Sequence, residues 1–367
     1  MKIAIIGAGV SGNTVAYRLH EKHDITIFEA EDYIGGHVNT IDVVEDESVI
    51  SVDTGFIVFN DRTYPQFTSI LKDLAVPSQA SEMSFSVSCE SSGLEYNGAN
   101  FNKLFCQRSN FFRWSFYQMI YDILRFNHFA PRDLVDADAS TLLCDYLAKN
   151  DYSPQFINQY LLPMCAAIWS ADPMAIEKAP LIFLVRFMEN HGLLSINNRP
   201  QWGVIKGGSK NYINQMASAY SSKIRLSTRV QWVKRYPGFI ELKASGSEVQ
   251  QFDEVFLACH SDQALQLLAD PSPLEKEILG AINYQSNEAI LHTDDLILPR
   301  RKLAWAAWNY HIPKDHDRSA SVTYNMNILQ GLKSTNTYCV TLNDSERIHP
   351  DKIIKRIVYH HPVFTQA

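Results

Sequence analysis

The apolar positions at the start of the chain follow two patterns in turn. Lys2–Ile6 reads KIAII, a short apolar run typical of a strand buried on both faces. A glycine-rich turn interrupts the run at 7–12, and residues 13–22 then carry apolar positions at helical spacing. Residues 24–29 (DITIFE) return to strand character and end in an acid. We therefore predict a strand, turn, helix and strand at the amino terminus.

Beyond residue 60 the pattern changes from strands to helices. Helical spacing predominates from 65 to 200, and strand-like runs return near 202 and again from 286. We predict an α/β chain with two domains. Residues 1–64 and 202–275 form a Rossmann-like domain. Residues 65–201 and 276–367 form a mixed α+β substrate domain, in which a helical insertion is combined with a sheet.

One predicted helix is unusually aromatic. Residues 110–126 contain seven aromatic side chains, with Arg113 and Arg125 between them. Because apolar residues fall on nearly every face, we expect this helix to be buried in the core. The alternative is a helix that faces lipid or substrate, since aromatic patches with basic residues also occur at membrane surfaces.

Composition excludes some classes of partner. A net charge of −7 argues against nucleic acid, whose binding depends on clustered Lys and Arg. The six cysteines form no C-x-x-C pair, which argues against a disulfide framework or metal site and favours a reducing compartment. No stretch reaches 18 uncharged apolar residues, so we expect no transmembrane segment. We predict a cytoplasmic protein, soluble or at most peripheral to a membrane.

The turn after the first strand has the chemistry of a dinucleotide site. It reads Gly7-Ala8-Gly9-Val10-Ser11-Gly12, a G-x-G-x-x-G loop. In such loops the first glycine permits a tight turn, the second lets the backbone approach a pyrophosphate, and the third allows close helix–strand packing. Unpaired amides at the helix start favour phosphate. Glu29, 17 positions after Gly12, stands where a carboxylate accepts hydrogen bonds from ribose and disfavours the 2′-phosphate of NADP.

The motif continues beyond the acid. Glu29 is followed by Ala30 and, six positions on from the acid, by Gly35-Gly36. This E-A-x-x-x-x-G-G pattern resembles the flavin amine oxidase superfamily, which includes monoamine oxidases, protoporphyrinogen oxidases and phytoene-type desaturases. The resemblance implies FAD as the cofactor. His37 stands where the family has Arg, so two alternatives remain open: an imidazole that contacts phosphate, or a loop residue that does not.

Two further segments resemble parts of the family that contact FAD. Val52-Asp53-Thr54-Gly55-Phe56-Ile57 resembles a D-x-G strand that passes the flavin ring, which implies contacts from Gly55, Phe56 and Ile57. Gly55 would let the backbone come close. In the family, a strand near 230 lays its backbone against adenine, which implies a backbone contact from Val230.

Longer phrases narrow the resemblance. LACHSDQAL at 257–265 and LHTDDLILPRR at 291–301 are similar to a bacterial branch of predicted NAD/FAD-binding proteins. Its relatives include the flavoprotein-like region of plant cyclopropane fatty acid synthases. This implies a link to unsaturated fatty acyl chains and a fatty-acid-modifying enzyme as partner. The family's C-terminal glycine-rich flavin turn has no counterpart, since the last glycine is Gly331. We therefore expect a shortened carboxyl end and a weaker flavin end of the site.

The resemblance implies an FAD-dependent oxidoreductase that moves a hydride from an apolar, fatty acyl or amine substrate to flavin N5. The redox chemistry belongs to the cofactor, so the sequence predicts no catalytic residue. Lys206 and Lys302 are candidates by type alone for the water-holding lysine of amine oxidases. The alternatives are a flavin-dependent isomerase of unsaturated lipids, a non-catalytic flavoprotein-like partner of a lipid-modifying enzyme, and an NAD-dependent dehydrogenase. The Gly35-Gly36 extension counts against the dehydrogenase.

Overall fold

The structure, a computed structural model, describes residues 1–134, 138, 140–169, 173–195, 199–315 and 320–363. The strands are β1 Lys2–Ile6, β2 Asp24–Phe28, β3 Thr40–Glu45, β4 Ser48–Asp53, β5 Val58–Phe59, β6 Ser78–Ala80, β7 Phe85–Cys89, β8 Leu94–Asn97, β9 Gly203–Ile205, β10 Ile224–Arg225, β11 Val230–Tyr236, β12 Phe239–Ala244, β13 Gln250–Phe252, β14 Glu254–Leu257, β15 Asn283–His292, β16 Trp308–Ile312, β17 Ser321–Asn325, β18 Cys339–Leu342 and β19 Ile353–Val363.

The α-helices are α1 Val10–Leu19, α2 Pro65–Asp73, α3 Phe101–Leu104, α4 Trp114–Asp133, α5 Leu143–Lys149, α6 Pro154–Phe156, α7 Leu162–Trp169, α8 Pro173–Glu177, α9 Leu181–Asn190, α10 Lys210–Ala217, α11 Ser261–Leu267, α12 Pro273–Ala281 and α13 Met326–Leu329. A π-helical turn, Ile157–Leu161, joins α6 to α7. Short 3₁₀ helices occupy Arg108–Phe112, Ser218–Lys223, Asp295–Ile297, Lys302–Ala304, Ser345–Arg347 and Pro350–Lys352.

The predicted amino-terminal unit forms the centre of a parallel sheet. Its strand order is β10-β2-β1-β14, and β1 pairs in parallel with both β2 and β14. In β1, Ile3 and Ile5 pack into the core around α1 and α10, while Ala4 and Ile6 pack toward the sheet β11-β12-β13. The prediction of a strand buried on both faces is confirmed, because helices cover one face and a second sheet covers the other.

A larger sheet forms the other half of the molecule. Its order is β19-β15-β18-β17-β16-β7-β8, and within the described residues only the pair β16–β7 is parallel. The last strand, β19, pairs with β15 along most of its length, from Asn283 opposite Val363 to His292 opposite Ile353. This pairing returns the carboxyl-terminal segment toward the parallel sheet.

The insertion between β5 and β9 is mainly helical, as predicted, but it also contains β6, β7 and β8. Its longest helix, α4, packs against α6 and α9 through one face, which buries Phe116, Met119 and Phe126. The expectation that 110–126 is buried throughout is wrong for the opposite face. There Trp114 and Tyr121 are exposed, because no described element covers them.

Two smaller sheets have the strand orders β3-β4 and β5-β9-β6. Val52 of β4 and Val204 of β9 belong to the same core as the seven-stranded sheet. The division into 1–64 with 202–275 and 65–201 with 276–367 stays a prediction. Across the described residues, no helix combines the length and the apolar character needed to cross a bilayer.

Candidate cofactor site

The three glycines of the first turn have different surroundings. Gly7 has φ +104°, and a Cβ there would lie 2.4 Å from the Ala258 carbonyl oxygen. A Cβ on Gly12 would lie 1.9 Å from the Gly7 carbonyl oxygen, so α1 packs too closely to accept any side chain. At Gly9 the nearest atom to such a Cβ is the Gly35 carbonyl oxygen, 3.9 Å away. Gly7 and Gly12 therefore serve the fold, and Gly9 borders open space.

Helix α1 begins beside that open space. Gly9 is its N-cap, and no side chain caps the first turn, so its amides remain available. Asn13, fully buried, donates from Nδ2 to the carbonyls of Ala8 and Gly9 at 2.6 and 3.1 Å. The Tyr220 hydroxyl lies 3.0 Å from the Asn13 carbonyl oxygen. Asn13 thus fixes the conformation of the glycine loop, a role that the sequence analysis missed. The signal in the sequence is a polar amide residue at a helix position that faces the core.

Glu29 is tied directly to the glycine loop. Its Oε2 accepts from the Ala8 amide at 2.7 Å, and its Oε1 accepts from the Glu31 amide at 3.0 Å. Each carboxylate oxygen keeps a further lone pair, so the acid can also accept from a hydroxyl. Ala30, next along the chain, is exposed.

The second glycine turn packs on the first. The Gly35 amide donates to the Ala8 carbonyl at 2.8 Å, and a Cβ on Gly36 would lie 3.5 Å from the Gly9 Cα. Both glycines have positive φ, +117° and +59°, which side chains rarely adopt. The two turns therefore form one continuous backbone surface.

The D-x-G segment joins the surface through His37. The Phe56 amide donates to the His37 carbonyl at 2.8 Å, and a Cβ on Gly55 would lie 2.1 Å from that oxygen. Gly55 is thus required for close approach to a neighbouring backbone. Residues 7–12, Glu29, 35–37 and 55–56 are brought together.

Other predicted site residues lie apart or point away. Ile57 is buried in the core of the seven-stranded sheet. The Val230 side chain packs in the core that contains Phe28. The segment that leads into its strand contacts Glu29, because the Thr228 amide donates to the Glu29 carbonyl at 2.7 Å. Val10 and Ser11 are exposed at the start of α1.

Two histidines that the sequence analysis did not select meet His37. The His37 ring lies 5.6 Å from His361 and 5.8 Å from His260, measured between ring centroids, and stacks on Tyr359 at 4.9 Å. His260 follows β14, and Tyr359 and His361 lie in β19. We call His37, His260 and His361 the histidine cluster. The pairing of β19 with β15 places His361 beside His37, and the end of β14 in the parallel sheet places His260 there, so local sequence carries no signal for the cluster.

The histidine cluster is uncharged at neutral pH. Burial, reinforced by His361 and His260, lowers the pKa of His37 to about 4. Burial also lowers the pKa of His260 and of His361. His37 is therefore not a fixed cation like arginine. Its Nε2 is buried and has no hydrogen-bond partner among the described residues, so it can take one from a ligand.

Cys259 and the candidate lysines, Lys206 and Lys302, do not have the surroundings of catalytic groups. Cys259 precedes His260, and burial raises the pKa of its thiol to about 11. The thiol is therefore not a thiolate at neutral pH. Lys206 is exposed on a turn, and Lys302 is exposed with its ammonium 5.5 Å from the centroid of Trp305.

Asp53 of the D-x-G segment organises the backbone rather than facing the open space. It is fully buried and accepts from the Thr40 hydroxyl, the Ser209 amide and hydroxyl, and Gln330 Nε2, at 2.5 to 3.0 Å. Burial raises its pKa to about 6, opposed by these donors, so the carboxylate is ionised at neutral pH.

Both the sequence and the fold are similar to those of known proteins. The sequence model of the family described as flavin containing amine oxidoreductase matches residues 10–309. A search of curated proteins gave no match.

Cyclohexylamine oxidase from Brevibacterium oxydans IH-35A superposes with a TM-score of 0.65 at 15% identity, covering 98% of this chain and 84% of that one. A fatty acid isomerase from P. acnes, described as CLA-producing, gives 0.63 at 14% identity, covering 98% and 86%. A putative protoporphyrinogen oxidase from Exiguobacterium sp. 255-15 gives 0.62 at 16%, covering 99% and 88%. These likenesses establish a shared fold.

Proposed function

Because the chain belongs to the flavin containing amine oxidoreductase family and is an FAD-dependent oxidoreductase, we propose that the backbone surface around Gly9 holds its FAD. The residues proposed to contact the cofactor are Gly7, Ala8, Gly9, Val10, Ser11, Gly12, Glu29, Ala30, Gly35, Gly36, His37, Gly55, Phe56, Ile57 and Val230, the last two through their backbones because their side chains lie in hydrophobic cores. Glu29 would bind the adenosine ribose, and the free amides of α1 would bind the pyrophosphate.

The open space at Gly9 is the observation that carries this proposal. Gly7 and Gly12 are excluded from bearing side chains by the protein's own backbone, but Gly9 is not. Other glycines such as Gly98 share this freedom, but Gly9 also lies at the uncapped start of α1 within the G-x-G-x-x-G loop, where a ligand must approach the backbone. The unpartnered, buried Nε2 of His37 supports the same interpretation.

Bound FAD would supply a two-electron acceptor for a hydride from the substrate. The chain's part is to bind, orient and exclude water. The histidine cluster presents neutral imidazoles at pH 7. Neutral rings can donate or accept hydrogen bonds there without placing a fixed positive charge in the site.

We propose an apolar substrate, with an unsaturated fatty acyl chain first and an amine second. The similarity of residues 257–265 and 291–301 to a branch related to the flavoprotein-like region of plant cyclopropane fatty acid synthases supports the acyl substrate. Because the chain shares its fold with a fatty acid isomerase, an isomerase of unsaturated lipids is a second candidate function. Because it also shares its fold with cyclohexylamine oxidase, an amine is the second candidate substrate. A cytoplasmic location, peripheral membrane contact and a fatty-acid-modifying partner enzyme belong to the same proposal.

Flavin absorbance in the visible range, with a titration of FAD into apoprotein, tests the cofactor site. Gly9→Val should weaken FAD binding at least tenfold without unfolding the protein, because Gly9 already has an extended backbone that valine tolerates. Gly98→Val is the matched control: this exposed glycine lacks positive φ and has room for a side chain. If the purified protein neither contains nor takes up FAD, both the oxidoreductase and the isomerase proposals are contradicted.

Anaerobic mixing then separates the substrates and reaction types. Bleaching of the flavin by an unsaturated fatty acid, and not by cyclohexylamine, would support the acyl oxidoreductase. Conversion of the fatty acid without any electron acceptor and without net bleaching would favour the isomerase. Bleaching by the amine alone would replace the acyl proposal with an amine oxidase.

A further inference from the structure

An exposed aromatic surface covers the outer side of the helical insertion. Phe112 is 92% exposed, Trp114 81% and Tyr121 61%. Phe101 is 68% exposed, and the remaining members are between 37% and 48% exposed. We call the following set the aromatic surface: Phe101, Phe111, Phe112, Trp114, Tyr117, Tyr121, Leu124 and Phe129. Such a contiguous set is rare on a soluble protein without a binding role.

The members of the aromatic surface lie side by side. Trp114, Tyr117, Tyr121 and Leu124 follow each other at helical spacing along the outer face of α4. The Tyr117 hydroxyl donates to the Phe111 carbonyl at 3.2 Å, and the Phe101 ring lies 6.1 Å from the Phe111 ring. One surface therefore extends from α3 along α4.

The fold does not need these outer side chains. The inner face of α4 is closed by Phe116, Met119 and Phe126, and by Asp122, which accepts from the Ser153 amide at 3.0 Å and pairs with Arg125 at 3.1 Å. Packing therefore explains one face of α4 only. A helix with a packed inner face and an aromatic outer face, where charge is usual, requires an external partner.

The charge around the aromatic surface differs from that of the rest of the chain. Residues 100–134 contain five basic side chains (Lys103, Arg108, Arg113, Arg125 and Arg132) and two acids (Asp122 and Asp133), a net +3. The whole chain carries −7, so the other residues carry −10. Positive charge is thus concentrated where the aromatics are exposed, in a protein that is otherwise acidic.

A polar groove lies beside the start of α4. It has a volume of about 520 Å³, and its lining consists of Ser92, Arg113, Ser115, Pro154, Gln155, Asn158 and Gln159. The Arg113 guanidinium forms no ion pair with a described residue. A guanidinium among hydroxyl and amide groups suits a phosphate ester.

We propose that the aromatic surface docks on an anionic phospholipid bilayer, with its aromatic rings at the interface and Arg113 at a lipid phosphate. The choice of a membrane as partner rests on the proposed function, which requires access to acyl chains. Basic residues beside exposed Trp, Tyr and Phe are the composition of interfacial helices. Attraction to anionic lipid adds to the burial of apolar surface, so both charge and aromatics contribute.

Vesicle flotation of the FAD-loaded protein tests the docking. We expect binding to vesicles that contain phosphatidylglycerol, weaker binding to pure phosphatidylcholine, and loss of the difference at high salt. Among the described residues Trp114 is the only exposed tryptophan, so docking should shift its emission to the blue and allow quenching by brominated lipid. Phe112→Ser combined with Trp114→Ser should lower the partition coefficient by roughly a hundredfold.

Two further variants separate the contributions. Leu296→Ser is the control, since Leu296 is 88% exposed but lies outside the aromatic surface, and it should bind vesicles normally. Arg113→Gln with Arg132→Gln should abolish the preference for anionic lipid while leaving weak binding. Flavin absorbance of every variant should match the unmodified protein, so a failure of FAD binding is seen independently of docking.

Absence of vesicle binding, or equal binding by the Phe112/Trp114 double variant, would overturn the proposal. So would sedimentation showing that the double variant dissociates a dimer while vesicles remain unbound. In that case the aromatic surface would be an interface between two copies of this chain.

Discussion

Asp53 and Gln330, separated by 277 positions, exchange two hydrogen bonds. The Asp53 amide donates to Gln330 Oε1 at 2.9 Å, and Gln330 Nε2 donates to Asp53 Oδ2 at 2.9 Å. Both side chains are buried. Asp53 also holds Ser209 after the turn at Gly207-Gly208, so this pair connects the D-x-G segment, the segment that returns from the insertion, and α13.

Replacement of Gln330 should destabilise the whole molecule. Gln330→Ala removes one donor from a buried carboxylate and leaves the Asp53 amide without its acceptor, which should cost about 3 kcal/mol in the free energy of unfolding. Urea unfolding followed by circular dichroism measures it. Gln251→Ala, at an exposed glutamine, is the control and should stay within about 0.5 kcal/mol of the unmodified protein. A loss below 1 kcal/mol at Gln330 would show that the pair is not a structural link.

Gly12 and Gly9 should separate stability from cofactor binding. Gly12→Ala places a Cβ 1.9 Å from a carbonyl oxygen and should cost more than about 3 kcal/mol, because backbone must move. Gly9→Ala should leave the thermal midpoint of the apoprotein nearly unchanged and weaken FAD binding. Differential scanning calorimetry without FAD and a binding titration measure the two effects. Equal destabilisation by both substitutions would contradict the distinct roles assigned to these glycines.

FAD binding should take up protons. Burial and mutual repulsion keep the pKa values of His37, His260 and His361 below 6.5 in the free protein, and a bound pyrophosphate would favour their charged forms. The complex then binds more protons than the free protein, so affinity should rise as pH falls from 8 toward 5. Other titratable groups beside the cluster include His360, Asp262, Cys259, Tyr284 and Tyr359.

Calorimetric titration of FAD in two buffers of different ionisation enthalpy counts these protons. His361→Gln should reduce proton uptake while FAD still binds, and His349→Gln, at an exposed histidine in another part of the chain, should not change it. An FAD affinity that is independent of pH would place the histidine cluster away from the pyrophosphate.

His292 should make the protein sensitive to acid. It is fully buried; its Nδ1 accepts from the Asp294 amide at 3.1 Å, and its Nε2 lies 2.8 Å from the Thr341 hydroxyl. Burial lowers its pKa from 6.5 to about 4. The unfolded chain therefore binds more protons than the folded chain between these pH values, and stability is present above pH 6.5 and lost as pH falls toward 4.

The loss from His292 should approach about 3 kcal/mol by pH 4, since each pKa unit corresponds to about 1.4 kcal/mol. Denaturant unfolding at intervals between pH 7 and 4 measures the slope. His292→Gln cannot be protonated and should flatten this part of the profile, even if the variant is less stable throughout. An unchanged slope in His292→Gln would assign the acid sensitivity to other groups.

The local sequence was sufficient to predict the first unit. The β1 run, the G-x-G-x-x-G turn, α1 and β2 are consecutive, and each is specified by short-range properties: apolar spacing, glycine conformation and the position of Glu29. The family of the chain was predicted from the same residues together with Gly35-Gly36. This was possible because the whole motif lies within the first 36 positions and can be recognised from spacing alone. Several strands of the seven-stranded sheet could be predicted from the sequence, but their order in the sheet could not, since strand pairing depends on contacts between distant segments.

Sequence alone determined that a dinucleotide loop is present and that 110–126 is aromatic. Only the tertiary structure decided that His37, His260 and His361 share one site, that Asp53 binds Gln330, and that half of α4 is uncovered. Each depends on which distant segments pack together, as when β19 lies along β15. Residue spacing describes a helix or a strand, but burial and pairing are set by what the rest of the chain places against it.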